Sequence, residues 1–307
     1  MAFLYALPGA VAEGLIWGLM AIGVYISYKI LDIADLTVDG SICTGACVCA
    51  VLLGLGVPVW ICVPAALLTG ALAGTVTGLL HTLLGIPSIL AGILTQLMLY
   101  SVNLVILGGK SLMAVDHRAN VLLVHMSNNP MAIVAMIAMV AVTIIVLWQF
   151  FYTEVGLTLK STGDNPDMSR AQGVDVNRNK VIGLAIANGI VAVAGAMLAQ
   201  YKGSANINDG RGAIVIALAA IFIGLSVSLK IKPNFVVSLI GVVSGGVVYY
   251  IVYNFVILLG LKTDYLKMLS AVIVALFLGV PYMKAEYFTK QKMPQPNAKQ
   301  SGGKADA

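Results

Sequence analysis

The sequence predicts an all-α fold, a polytopic helical bundle with about nine membrane-spanning helices, eight and ten being the outer limits. Three observations lead there. Of the 307 residues 60% are hydrophobic and 10% charged, whereas soluble domains carry about 25% charged residues, and the mean hydropathy is +0.96. The apolar residues form continuous runs of roughly 20, the helical length that crosses a hydrocarbon layer of about 30 Å. The Lys and Arg residues behind the net charge of +5 stand at the ends of those runs, as topology signals do, so no nucleic-acid partner is expected.

The runs place spans near 7–30, 40–56, 57–80, 86–107, 131–151, 180–201, 212–229, 235–260 and 265–283. The first has no basic residue before Lys29 and so lacks the positive region of a cleaved signal peptide; it is expected to stay as a span. With the polar interval 156–180 in the cytoplasm, twelve of the eighteen Lys and Arg lie inside and six outside. The opposite orientation inverts that bias, so the N-terminus is expected outside and the C-terminus in the cytoplasm. Residues 1–283 then form one transmembrane domain, with a disordered cytoplasmic tail at 284–307 rich in Lys, Gln and Pro.

Several spans carry polar or small residues. After Glu13 in the first span, Asp32, Asp35 and Asp39 precede Gly40. A carboxylate at the bilayer centre costs on the order of 3 kcal/mol, so this stretch is expected at the membrane edge or at the mouth of a wet cavity, with Asp35 and Asp39 as candidates there. No nucleophile or metal-binding set accompanies them, which argues against acid/base catalysis. Gly70, Gly74 and Gly78 recur every fourth position, the pattern that lets membrane helices approach closely. Gln96, Tyr100 and Asn103 share one helical face; such a stripe faces either a neighbouring helix or a water-filled path, and together with Asn188 these residues are the candidates for a translocation path.

Other signals exclude chemistry. GGKS at 108–111 ends like a phosphate-binding loop, but the first glycine of that motif would fall at Leu104. Cys43, Cys47, Cys49 and Cys62 lie in or beside apolar runs without zinc spacing, and read as small packing residues. His81, His117 and His125 are scattered. No metal site is expected and the chain is not expected to be an enzyme. The turn KGSANINDGRGA at 202–213 precedes an apolar helix much as DLTVDGSICTGA does at 35–46. Both suggest half-helices whose N-termini meet a central cavity, as in transporters with internal repeats.

The interval GLTLKSTGDNPDMSRAQGVDVNRNK at 156–180 spells a very short helix. Asn165 suits an N-cap, Pro166 the first helical position, and Gly173 the left-handed stop. Arg170 stands near the C-terminal end, where a cation meets the negative pole of the helix dipole. Two turns alone in water do not hold, so this helix needs a surface to pack on.

This interval with the following helix through Gln200, together with ADLTVDGSICTGA and GILTQLMLYSVNLVILGGKS, resembles the permease family of bacterial ABC importers that includes ribose-type and branched-chain amino-acid permeases. Within it the branch paired with tryptophan- or tyrosine-type binding lipoproteins is most similar. The resemblance covers about Ala10 to Pro281, and departs from the family pattern in the cysteines at 43, 47 and 49. It implies a multi-pass permease in the bacterial inner membrane, forming a homodimer in the lipid bilayer with its path on the two-fold axis. Two copies of an ABC-type ATPase subunit, which bind ATP and Mg, lie below, and an extracytoplasmic substrate-binding protein lies above. No cofactor is implied in the permease itself. Asn165, Pro166, Asp167, Met168, Arg170, Gln172 and Gly173 become the ATPase-coupling helix, and the cargo is implied to be a small solute, an amino acid with aromatic ones favoured. A stand-alone secondary transporter or channel for a small polar solute is the alternative; it leaves the capped helix without a partner. A membrane-embedded enzyme ranks third, lacking a catalytic constellation.

Overall fold

The computed structural model describes residues 2–115, 123–124, 129–228 and 234–258, with a few positions between 268 and 279. The tail from 284, and nearly all of the span expected at 265–283, lie outside the described residues. The chain is helical almost throughout. Helix α1 (Ala2–Tyr25) runs on into a π-helical turn at Ile26–Ile30; α2 (Val38–Gly54), α3 (Val59–Thr82), α4 (Ser88–Ile106), α5 (Asn129–Phe151), α6 (Glu154–Asp164), α7 (Pro166–Ala171), α8 (Val176–Lys202), α9 (Ala213–Ser228) and α10 (Phe235–Leu258) follow. Two short strands, β1 (Leu112–Ala114) and β2 (Ser204–Asn206), pair antiparallel with Met113 opposite Ala205, joining the loops after α4 and α8.

Among the described residues six helices are long and apolar enough to cross a membrane, the first spanning Ala6–Ile30, while α2 and α9 are shorter apolar helices. The expected spans at 40–56 and 212–229 therefore differ from full-length crossings, and the reason lies in what precedes them. Residues 32–35 are irregular backbone leading into α2, with Asp32 at φ +55°, and a turn-rich loop leads into α9. In both cases non-helical chain takes up the residues ahead of the helix, a backbone tolerated at membrane depth only where protein surrounds it.

Helix α8 is the centre of the bundle. Lipid tails are as apolar as leucine, so helices associate through close packing and hydrogen bonds instead of hydrophobic transfer. The glycine stripe of α3 meets α8 directly: a Cβ on Gly74 would strike the Leu184 carbonyl and one on Gly70 the Asn188 carbonyl, while one on Gly78 would stand 2.8 Å from Val181 Cα. On another side of α8, Gly45 of α2 sits on the Ala192 carbonyl and Gly195 faces the Ile42 carbonyl. Helices α1 and α10 meet through Gly18 and Gly246, with Trp17 stacked on Tyr250 at 5.8 Å between ring centres.

The interval 156–180 is more helical than its polarity implies, because α6 occupies its first half and α8 already begins at Val176. Thr153 caps α6 by accepting from the Gly156 N–H at 3.3 Å, and α6 stops where Asn165 turns extended, at φ −155° and ψ 98°. The proline that follows enforces this, since its ring disfavours helical backbone in the residue before it.

Candidate functional site

Two regions gather the residues singled out by the sequence. The first is α7. Asn165 Oδ1 accepts from the Met168 N–H at 3.0 Å, Pro166 occupies the first turn and Gln172 is the C-cap, and Gly173 takes φ +82°. Arg170 Nη1 stands 3.2 Å from Asp167 Oδ1 in an exposed pair, of the kind worth at most about 1 kcal/mol. The short helix is held from behind: Ser169 Oγ donates to Ser161 Oγ of α6 at 3.2 Å, and Asn179 of α8 donates to Thr162 Oγ1 of α6 at 3.0 Å. A Cβ on Gly163 would meet the Ile30 carbonyl, so α6 is also pressed on the end of α1. Met168 faces outward, 59% exposed. The whole forms a bracket with a solvent-facing edge, braced through α6 onto α8.

The second region lies where α2 and α9 begin. Asn188 of α8, fully buried, donates to Asp35 Oδ2 at 2.6 Å and accepts from Ser41 Oγ at 2.6 Å. Asp35 Oδ1 takes the Thr37 N–H at 2.9 Å, and the Thr37 and Thr77 hydroxyls share a 2.7 Å hydrogen bond. This network satisfies a carboxylate that water does not reach, which is the condition for burying one. Beside it, Asp39 caps α9 from across the fold: its Oδ2 accepts from the Gly212 N–H and its Oδ1 from the Ile214 N–H, both at 2.9 Å. A carboxylate at a helix N-terminus takes up unsatisfied N–H groups and meets the positive end of the dipole. The Cys43 thiol receives the Gly210 N–H at 3.0 Å and donates to the Ile207 carbonyl at 3.3 Å, so it binds the loop instead of merely filling space as the sequence reading has it. The starts of the two short helices are thus pinned to one another.

A cavity of about 330 Å³ opens here, lined by Asp39, Gly40, Cys43, Gln96, Leu97, Tyr100, Asn103, Ile207 and Arg211. The structure brings Gln96, Tyr100, Asn103 and Asp39 together around it; Asn188 and Asp35 are not in its lining but belong to the buried network. Arg211, in the loop before α9, completes the lining. Its guanidinium lies 5.9 Å from the centre of the Tyr100 ring. A second cavity, of about 380 Å³, lies on the other side of Arg211 among Trp17, Lys202, Asp209 and the tyrosines of α10. Tyr249, Tyr250 and Tyr253 supply its α10 side.

These features define a multi-pass helical membrane protein in which the starts of two shorter apolar helices meet beside a cavity. The family model described as "Branched-chain amino acid transport system / permease component" matches residues 9–280. The chain belongs to that permease family. It is 35% identical over 268 residues to a tyrosine transport system permease protein of Clostridioides difficile (strain R20291), covering 87% of this chain and 88% of that one. It is 29% identical over 279 residues to an uncharacterised protein, RP368, of Rickettsia prowazekii (strain Madrid E), covering 90% and 97%. Over 244 residues it is 25% identical to the ribose import permease protein RbsC of Escherichia coli (strain K12), covering 79% and 75%. No solved structure matches the chain.

Proposed function

We propose that this chain is the membrane-spanning subunit of an ATP-driven importer that moves a small solute delivered by an extracytoplasmic binding protein, and that the solute is an amino acid, aromatic ones favoured. The observation that carries the reading is α7, a six-residue helix capped at both ends, braced through α6 onto α8, with Met168 and the Arg170 pair facing outward. A helix too short to persist alone, held so rigidly and exposed on one edge, suits a handle for a partner. In this reading the bracket lies in the cytoplasm in a groove of an ATPase subunit, with the N-terminus outside and the C-terminus inside. Two permease chains meet in the inner membrane around a common path, over two ATPases that bind ATP and Mg. ATPase closure moves both brackets, and the helices fixed to them tilt as rigid bodies. The tyrosine permease of Clostridioides difficile supports an amino-acid cargo. The alternative, a stand-alone secondary transporter or channel, gives α7 nothing to hold.

Co-expression with the neighbouring genes, purification in mild detergent and reconstitution into vesicles test the reading. An ATPase subunit should copurify, and uptake should require ATP together with the loaded binding protein. Uptake by the permease alone, driven by a proton or sodium gradient, would establish the alternative.

A further inference from the structure

The cavity between α2, α4 and the loop before α9 contains groups whose partners are missing. Asn103 is 1% exposed, and its Oδ1 is a buried acceptor without a hydrogen-bond donor. Buried polar atoms are almost always satisfied and leaving one bare is unfavourable, so an orphaned oxygen in a cavity wall marks a place for a donor from outside the chain. Arg211 lines the same cavity with its guanidinium against the Tyr100 ring, and takes part in neither of the two ion pairs among the described residues, Arg170 with Asp167 and Lys202 with Asp209. The wall thus carries one cation, Arg211, and one carboxylate, Asp39. A ligand that preserves this balance has no net charge, and an exposed guanidinium outside any ion pair among the described residues beside the orphaned acceptor fits a zwitterion better than a sugar. The volume, about 330 Å³, lies at the small end of the ~300–1,000 Å³ typical of ligand sites, and Leu97 and Tyr100 give it an apolar side.

We propose that this cavity is a transit site for the α-amino-acid headgroup: Arg211 takes the carboxylate, and Asn103 Oδ1, with Asp39 nearby, takes the ammonium. The assignment rests on the importer reading for its cargo and adds to it a site in the permease itself. Carboxylate recognition by a guanidinium is charge-assisted and directional, whereas the side chain of the cargo meets only the apolar wall. The site therefore reads the backbone of an amino acid and leaves discrimination among side chains to the binding protein.

The test uses the purified permease with its ATPase in detergent and tritiated L-tyrosine as probe, alone and in competition with tyramine, which lacks the carboxylate, and 3-(4-hydroxyphenyl)propionate, which lacks the ammonium. Saturable binding is expected, displaced by unlabelled tyrosine and by neither analogue. Arg211→Gln and Asn103→Leu should each weaken it by about tenfold or more, the loss of one charge-assisted or buried hydrogen bond, and Arg211→Lys should recover part of it. Copurified ATPase and an unchanged elution volume keep these variants interpretable. Binding that both variants leave intact, or that tyramine displaces as well as tyrosine does, overturns the assignment. No binding at millimolar tyrosine, while the wild-type complex still imports tyrosine from its binding protein, overturns this site and leaves the importer standing; ATP-driven import of a sugar and of no amino acid removes both the site and the cargo.

Discussion

The Asn188 amide donates to the Asp35 carboxylate at 2.6 Å across 153 positions of sequence, and this pair joins the centre of α8 to the irregular chain before α2. Because the Asn188 carbonyl also accepts from Ser41, removing the side chain leaves a buried carboxylate and a buried hydroxyl without their partner. Asn188→Leu is expected to cost roughly 3 kcal/mol or more, seen as a lowered midpoint of thermal unfolding in detergent. Asn188→Asp alone should be as damaging, since two carboxylates then face each other, whereas combining it with Asp35→Asn restores a donor opposite an acceptor and should recover most of the loss. A double variant no better than the single ones would show that the network does not depend on this pair.

Asp39 is expected to stabilise α9 through its two backbone hydrogen bonds. Asp39→Ala exposes the Gly212 and Ile214 N–H groups and should cost about 1–2 kcal/mol, and Asp39→Asn, with one acceptor oxygen, should fall between it and wild type. Hydrogen exchange read by mass spectrometry on a peptide covering 210–218 checks this: exchange there should quicken in the alanine variant while peptides from α3 stay as they were.

Glycines of one interface should differ in tolerance. A methyl on Gly74 would overlap the Leu184 carbonyl, while one on Gly189 would find its nearest neighbour, the Leu67 carbonyl, at 3.3 Å. Gly74→Ala is therefore expected to lower the yield of monodisperse protein severely, because two backbones must separate, and Gly189→Ala to cost under about 1.5 kcal/mol. Equal behaviour of the two in size-exclusion chromatography would contradict the close α3 to α8 approach.

At α7, Gly173→Val forces a β-branched residue to φ +82°, a strain of about 1–2 kcal/mol, and Arg170→Glu replaces the exposed cation by an anion. Both are expected to insert normally and to abolish uptake and binding-protein-stimulated ATP hydrolysis in reconstituted vesicles. Wild-type uptake by either variant would remove the handle role from this helix.

The contrast between these sites shows what a linear sequence makes legible. Helix α7 could be read in full because Asn165, Pro166 and Gly173 act within a few positions of the backbone they shape, and the glycine stripe of α3 was readable because its period marks a close face. The contact between Asp39 and the start of α9 was not, since it spans 173 to 175 positions and neither end announces the other. Arg211 is no more legible: nothing in its glycine-rich turn announces that folding brings Tyr100 to it. The resemblance of the two turns before α2 and α9 was the one trace of that meeting. It pointed to half-helices but held no information about which side chains would join them. Helix α6 is hidden by its polarity, because beside the single buried apolar side chain of Leu159 it is tied down by polar partners, Ser169 and Asn179.

The Asn188 junction also orders the making of the protein. Asp35 leaves the ribosome 153 residues before Asn188, which at about 5–20 residues per second is a wait of roughly 8–30 s. Through that interval the carboxylate has no amide to meet, and lodging it in hydrocarbon would cost on the order of 3 kcal/mol. The stretch before α2 must therefore linger at the aqueous boundary, or within the insertion machinery, until α8 arrives. The second crossing is settled only once α8, the fifth long apolar helix among the described residues, has been made.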